Sequence, residues 1–354
     1  MSKFHPLNVV EVIKETDDCV SLILEPITDA DFSFDAGQYL TFKTEINGEE
    51  VRRSYSLSTS PSEGDLRVAV KEVPGGLFST YANNVLKAGD VLESLSPDGR
   101  FKIDENAKNH LAFAAGSGIT PVISQIKHVL ESSSDSKFAL FYVNKETASI
   151  IYRDEIAELK DKYLERFQLF HLLTREPIDA ELFAGRLDKE RCLRLFNEII
   201  DPKSFDVAYI CGPEAMIMDC KEALVESGMN ESQVKFELFT SSSKGEDKDS
   251  VTKAEPEDSD EVDVHVVLDG VTTKVQVKKS GKSILDAALD AGLDAPFSCQ
   301  GGVCCTCRCK MDKGTASMDI NFALEEDEVE KGFILSCQAH PTGDGPWVVD
   351  YDQQ

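Results

Sequence analysis

The arrangement Cys299-x4-Cys304-x2-Cys307, completed by Cys337 in GFILSCQAHP, is the densest set of reactive side chains in the sequence. Thiolates at this spacing hold a [2Fe–2S] cluster, a centre that passes single electrons. Gly301 and Gly302 free the loop backbone to wrap a small inorganic core and aim amide N–H groups at its sulfides. Zinc is the alternative for such thiols, but structural zinc usually takes two C-x2-C knuckles and only one such pair is present. Cys305 and Cys309 are surplus to the pattern and are expected as packed thiols. Cys19, Cys192, Cys211 and Cys220 are scattered, which does not describe a secreted disulfide scaffold.

Further stretches have the chemistry of nucleotide sites. Arg53 in Arg53-Ser54-Tyr55-Ser56 can neutralise a pyrophosphate, and Tyr55 can lie against an aromatic ring system; a purely structural strand tyrosine remains open. Gly75-Gly76-Leu77-Phe78-Ser79 opens a short helix, where amide N–H groups can meet phosphate; a glycine turn with a serine cap is the plainer alternative. Gly116-Ser117-Gly118-Ile119-Thr120-Pro121 stands between an apolar strand and a helix, the context of a dinucleotide site. It departs from G-x-G-x-x-G at Pro121, which suits a first helical turn. Cys211-Gly212-Pro213 also follows a strand, at an edge where ligands collect, although Cys211 can be an ordinary buried residue. Thr174-Arg175 follows the strand FQLFHLL, and an arginine there favours NADPH over NADH, with Glu176 beside it as a counterweight. Gly281-Lys282-Ser283 resembles the end of a phosphate loop but lacks the earlier glycine, which is Gln276.

The elements that must carry these groups change character along the chain. Up to residue 103, runs such as VSLILEP, YLTFKTEI, RRSYSLS and LRVAVKEV alternate with turn signals including Asn47-Gly48, predicting an antiparallel barrel. From 104 to 240, HLAFAAG, FALFYVN, FQLFHLLT and DVAYICG alternate with amphipathic helical stretches, predicting a parallel sheet in βαβ units. Residues 241–262 contain eight acids and three lysines and are expected as a flexible acidic linker. From 263 to 354, a hairpin (VDVHVVLDGVTTKVQV) and a helix (SILDAALDAGL) precede the cysteine loop.

Aspartate and glutamate outnumber lysine and arginine by 64 to 37, for a net charge of -27. Such a surface repels nucleic-acid phosphates and anionic lipids and suits docking on a basic protein face. No apolar run has the length of a membrane span, and the first residues lack a signal-peptide core, so the expected location is the cytoplasm. No histidine pairs with serine or cysteine in a recognisable nucleophile context, so hydrolase chemistry has no support in the sequence.

In the order R-x-Y-S, GGLFS, GSGITP, CGP and C-x4-C-x2-C…C, the front part resembles the ferredoxin–NADP reductase superfamily and the tail a plant-type ferredoxin. The stretches CQGGVCCTCRCK, SMDINFALEEDEVEKGFILSCQAHP and HLLTREPIDAELFAGRLD resemble the reductase subunits of ring-1,2-phenylacetyl-CoA epoxidases. The resemblance implies a multidomain oxidoreductase: an FAD-binding antiparallel β-barrel, an α/β NAD(P)H domain and an α+β β-grasp ferredoxin domain. It implies that Arg53, Tyr55, Ser56, Gly76 and Ser79 contact FAD, and that Gly116, Gly118, Thr120, Cys211, Gly212 and Pro213 surround the nicotinamide. Glu237 and Phe239, in VKFELFT, match the position that meets the flavin ring, and Thr120, Cys211 and Glu237 would act in catalysis. Lys145 stands where relatives often carry arginine, which weakens the expected NADPH preference. The implied acceptor is a di-iron oxygenase. Another hydroxylase, a desaturase, a hybrid-cluster protein or a role as a bare electron carrier are the alternatives.

Overall fold

The computed structural model describes residues 3–177, 179–239 and 261–353. Of the expected acidic linker, 241–260 lie outside the described residues, whereas Glu261 and Val262 belong to the first strand of the tail. The chain forms two compact units, a front unit Phe4–Phe239 and a tail unit.

The first lobe of the front unit contains β1 (His5–Thr16), β2 (Cys19–Pro26), β3 (Tyr39–Ile46), β4 (Glu49–Ser56), β5 (Leu66–Lys71), α1 (Leu77–Asn84) and β6 (Val91–Ser94). The antiparallel sheet runs β4-β3-β6-β1-β2-β5, and a bridge from Leu57 to Val68 brings its ends together as a barrel. Asn47 (φ 57°) and Gly48 (φ 82°) make the two-residue β3–β4 turn, whose twist matches that of the strands. Irregularities at Val9/Glu11 and Lys14/Thr16 let the twelve-residue β1 bend around the barrel. Leu7, Leu22, Leu40, Phe42 and Val68 fill the interior, and Phe78 of α1 stacks on Phe42 with ring centroids 5.7 Å apart.

The second lobe follows as β7 (Asn109–Ala115), α2 (Ile119–Ser132), β8 (Lys137–Asn144), α3 (Arg153–Lys162), β9 (Phe167–Leu173), α4 (Lys189–Glu198), β10 (Val207–Gly212), α5 (Glu214–Glu226) and β11 (Val234–Leu238). Its sheet is parallel throughout, in the order β11-β10-β7-β8-β9. The near-continuous apolar runs of β7, β8 and β10 are buried, as strands covered on both faces require. Strand order reverses between β7 and β10, which opens a crevice at their carboxyl ends.

The tail unit contains β12 (Glu261–Leu268), β13 (Val271–Lys278), α6 (Ile284–Asp290), β14 (Arg308–Lys313), β15 (Thr315–Met318), α7 (Glu326–Glu330), β16 (Phe333–Leu335), β17 (Ala339–Thr342) and β18 (Trp347–Asp350). The sheet order β13-β12-β18-β14-β16, with β12 parallel to β18, is that of a β-grasp domain. Ile284, Leu285 and Ala288 of α6 pack with Val264, Val266 and Val349. Ser283 accepts from the Asp286 amide and caps α6, so Gly281-Lys282-Ser283 is a helix start rather than a phosphate loop. No helix among the described residues is long and apolar enough to cross a membrane.

Candidate functional site

In the tail, Cys299, Cys304 and Cys307 lie on the loop between α6 and β14, and Cys337 sits in the turn between β16 and β17. The sulfurs fall into two pairs. Cys304 Sγ is 3.2 Å from Cys299 Sγ, and Cys307 and Cys337 are hydrogen-bonded to each other. The Cys304 thiol and the amides of Gly301, Val303 and Cys304 hold the Cys299 thiol down to about 6, and contact with Cys307 lowers that of Cys337. Among the described residues, no three Cys, His, Asp or Glu side chains converge to hold a single ion. Two thiols for each of two metal centres is the donor set of a [2Fe–2S] cluster, which these residues fit. Gly302 has φ +73°, and a Cβ there would lie 2.7 Å from the Ile320 carbonyl, so the cradle has no room for a side chain. Cys305 and Cys309 donate to the carbonyls of Ala323 and Ile334, as packed thiols do.

In the barrel, β4 pairs with β3 so that Arg53 lies opposite Phe42 and Tyr55 opposite Leu40. Tyr55 packs 5.2 Å from Phe78, which ties the R-x-Y-S strand to α1. The Arg53 guanidinium donates to the Arg52 carbonyl and makes no ion pair among the described residues, leaving its charge available to a pyrophosphate. Gly75 has φ +74° and open space where a side chain would stand, and Gly76 precedes the first residue of α1. The Ser79 hydroxyl is already used: it accepts from Val73 N–H and donates to the Gly76 carbonyl. These groups fit an FAD pyrophosphate held by Arg53 and the glycine turn, with Ser79 shaping that turn.

At the sheet reversal, Gly116 (φ +53°) faces open space, whereas a Cβ on Gly118 would lie 2.2 Å from the Cys211 carbonyl oxygen. The turn after β7 is therefore wedged against the end of β10. Gly212 is closed in by Met216 and Ala115, and Pro213 leads into α5. Thr120 is buried and donates to the Ser117 carbonyl. The Cys211 thiol is wholly enclosed, and burial pushes it well above its usual range, so it offers packing rather than acid–base chemistry. Thr174 and Arg175 bond through their amides to Asn144 and Lys145 at the same sheet edge. Glu176 is engaged by Thr147, through N–H at 2.7 Å and hydroxyl at 2.9 Å, so it does not neutralise Arg175. The exposed Arg175 guanidinium has no ion pair among the described residues.

Glu237 joins the two lobes. It pairs in register with Cys211, and Ser56 Oγ donates to its Oε2 at 3.3 Å. Burial pushes its carboxyl up to about 8, and Phe239 beyond it is 40% exposed. A carboxyl raised in the folded state keeps its proton while the unfolded chain ionises, so stability falls as pH rises from about 4.5 to 8. Glu237→Gln is expected to gain about 1–2 kcal/mol over the parent at pH 8 and little at pH 5, a figure discounted for partial solvent screening. Denaturant unfolding at the two pH values measures this.

An inter-lobe polar cluster was missed from the sequence. Arg67 of β5 holds both oxygens of Glu155 at 2.9 Å, and Lys127 pairs with Glu155 and, at 2.9 Å, with Glu63. The guanidinium lies 4.5 Å above the ring of Tyr152, which itself has φ 59°.

Comparison with known proteins agrees with this geometry. Residues 6–103 match an oxidoreductase FAD-binding domain, 113–222 an oxidoreductase NAD-binding domain, and 266–342 a 2Fe-2S iron-sulfur cluster binding domain. The chain is 40% identical to one subunit of the 1,2-phenylacetyl-CoA epoxidase of Escherichia coli K12, covering 99% of each chain. It is 33% identical to the ferredoxin reductase component of the 3-ketosteroid-9-alpha-monooxygenase of Mycolicibacterium smegmatis, covering 98% of this chain and 97% of that one. The solved structure of phthalate dioxygenase reductase shares the fold, with a TM-score of 0.61, 23% identity and 98% of both chains covered.

Proposed function

The chain belongs to the oxygenase reductases that join FAD-binding, NAD-binding and 2Fe-2S domains in one polypeptide, and from that premise we propose that its client is the oxygenase that epoxidises phenylacetyl-CoA. The observation that carries the client is the 40% identity over 99% of both chains. When bound, FAD takes a hydride from NAD(P)H and the [2Fe–2S] centre passes electrons on singly, so no protein acid or base is obligatory. The residues position and tune. Arg53 and the Gly75-Gly76 turn hold the flavin phosphates, and Tyr55 and Ser56 border its ring. Gly116 leaves open space for the nicotinamide and Gly118 lets the turn seat against the end of β10, with the buried Cys211 and Thr120 excluding water. Glu237, whose carboxyl burial pushes up to about 8, presents a hydrogen-bonding edge beside Ser56. Cys299, Cys304, Cys307 and Cys337 hold the cluster. The setting is the cytoplasm, where the acidic surface meets a basic oxygenase face.

NADPH is the donor on this reading, because Arg175 is exposed and unneutralised at the sheet edge. Arg175→Gln is expected to lower kcat/KM for NADPH by about 10- to 100-fold while the NADH value stays within about twofold. Steady-state rates with both nucleotides check this. The client is tested with the purified oxygenase components, phenylacetyl-CoA, oxygen and NADPH. Acyl-CoA consumption that requires this chain supports the assignment, and no consumption, alongside active reduction of a 3-ketosteroid monooxygenase, overturns it.

A further inference from the structure

We propose that Tyr152 is a positioning residue for transfer from the nicotinamide to the flavin: it fixes the glycine turn 116–118 of the second lobe against the end of the R-x-Y-S strand of the first. The inference rests on the flavin and nicotinamide sites described above.

Tyr152 stands immediately before α3 in a left-handed conformation (φ 59°, ψ 30°) that a bulky side chain disfavours. Such a conformation persists where the surroundings over-determine it. Here they do. The ring is 3% exposed, and its hydroxyl crosses between lobes to Ser58 Oγ at 2.8 Å and Ser21 Oγ at 3.0 Å. Ser58 lies two residues beyond Ser56, at the end of the flavin-facing strand, and its hydroxyl and carbonyl both accept from Arg67, at 3.1 and 3.3 Å. Arg67 caps the Tyr152 ring and is locked to Glu155 one turn further along α3.

The other end of the line reaches the nicotinamide turn. The fully buried Tyr142 of β8 directs its one hydroxyl proton between the Gly116 carbonyl, at 3.0 Å, and the Ile151 carbonyl next to Tyr152, the weaker acceptor at 3.4 Å. A continuous path therefore runs Gly116–Tyr142–Ile151–Tyr152–Ser58. Other inter-lobe bonds hold α2 itself, from Ser124 to the Thr59 carbonyl, Gln125 to the Phe101 carbonyl, Lys127 to Glu63 and Ser60 and Ser62 to Glu131, or reach β11 through Ser56 and Glu237, rather than the turn that precedes α2. Packing alone would be met by phenylalanine. What the hydroxyl adds is the local tie between Ser58 and the segment bonded to the glycine turn, and hydride transfer is steeply sensitive to such placement, about 100-fold for an ångström of misplacement.

The test uses the full FAD- and iron–sulfur-loaded protein and the variants Tyr152→Phe, Ser58→Ala and the double variant. Anaerobic stopped-flow bleaching of flavin absorbance over a range of NADPH concentrations is expected to show a limiting rate about tenfold lower in Tyr152→Phe. Half-saturating NADPH, FAD content and thermal midpoint should match the parent. Because both single changes break the Tyr152–Ser58 bond, the double variant should lose less than the product of the two single losses. Without nucleotide, hydrogen–deuterium exchange in residues 115–120 should quicken several-fold in Tyr152→Phe while strand β7 stays protected. An unchanged limiting rate with unchanged exchange overturns the proposal, as does a rate loss that merely tracks lost FAD or a lowered midpoint. A parent protein that NAD(P)H does not bleach at all would instead break the underlying site assignment.

Discussion

Cys337→Ser is expected to strip the tail of its iron and sulfide and to abolish electron delivery to one-electron protein acceptors, by more than about 100-fold, while NADPH-driven ferricyanide reduction stays within about twofold. Cys337 alone comes from outside the loop, and it completes the second sulfur pair with Cys307. A serine cannot supply a thiolate, and three sulfurs leave one metal centre with a single protein ligand. The flavin and nicotinamide sites belong to the other compact unit, so the reaction of ferricyanide with flavin should survive. Iron and sulfide content, the visible spectrum and the two acceptor rates together read the outcome. Equal loss of both activities would mean that Cys337 supports the fold and not the cluster.

Gly118→Ala is expected to be nearly as severe for the opposite half of the relay. The added Cβ would meet the Cys211 carbonyl oxygen at 2.2 Å, its carbon at 2.6 Å and the Gly212 amide nitrogen at 3.1 Å. All three are backbone atoms at the end of a buried central strand, so no flexible side chain can give way, and the turn after β7 must move. Reduction by either nucleotide should fall about 100-fold, with ferricyanide as acceptor, while FAD and iron content are retained. Nucleotide-driven reduction at the parent rate would remove the glycine turn from the donor site.

The 2Fe-2S binding domain was legible because its signal is local: three of the four candidate cysteines sit on one loop at a characteristic spacing. The parallel sheet was legible for a related reason, since strands covered on both faces read as unbroken apolar runs, and Ile119–Ser132 forms the anticipated helix. β1 was not read because its two irregularities break the alternation on which a strand is recognised. α4 carries a usable signal that went unread: Asp188 caps it, and Cys192, Leu195 and Phe196 recur at helical spacing on its buried face. The Arg67–Glu155–Lys127 cluster had no signal to find, because Arg67 and Glu155 lie 88 residues apart and only the docked lobes bring them together. The same holds for Tyr152, whose partners Ser21 and Ser58 are 131 and 94 residues away. Motif reading also overstated three side chains. Cys211, Thr120 and Ser79 face inward or bond to the backbone, and what they contribute is the shape of a glycine turn or strand end.

The central claim is a relay from NAD(P)H through flavin to a [2Fe–2S] centre, and the visible spectrum of the purified protein, kept anaerobic, tests it most directly. Flavin and iron–sulfur bands should be present at the outset, and stoichiometric NADPH should bleach both, with NADH less effective at equal concentration. A colourless protein that contains zinc, or one whose bands neither nucleotide alters, would contradict the account.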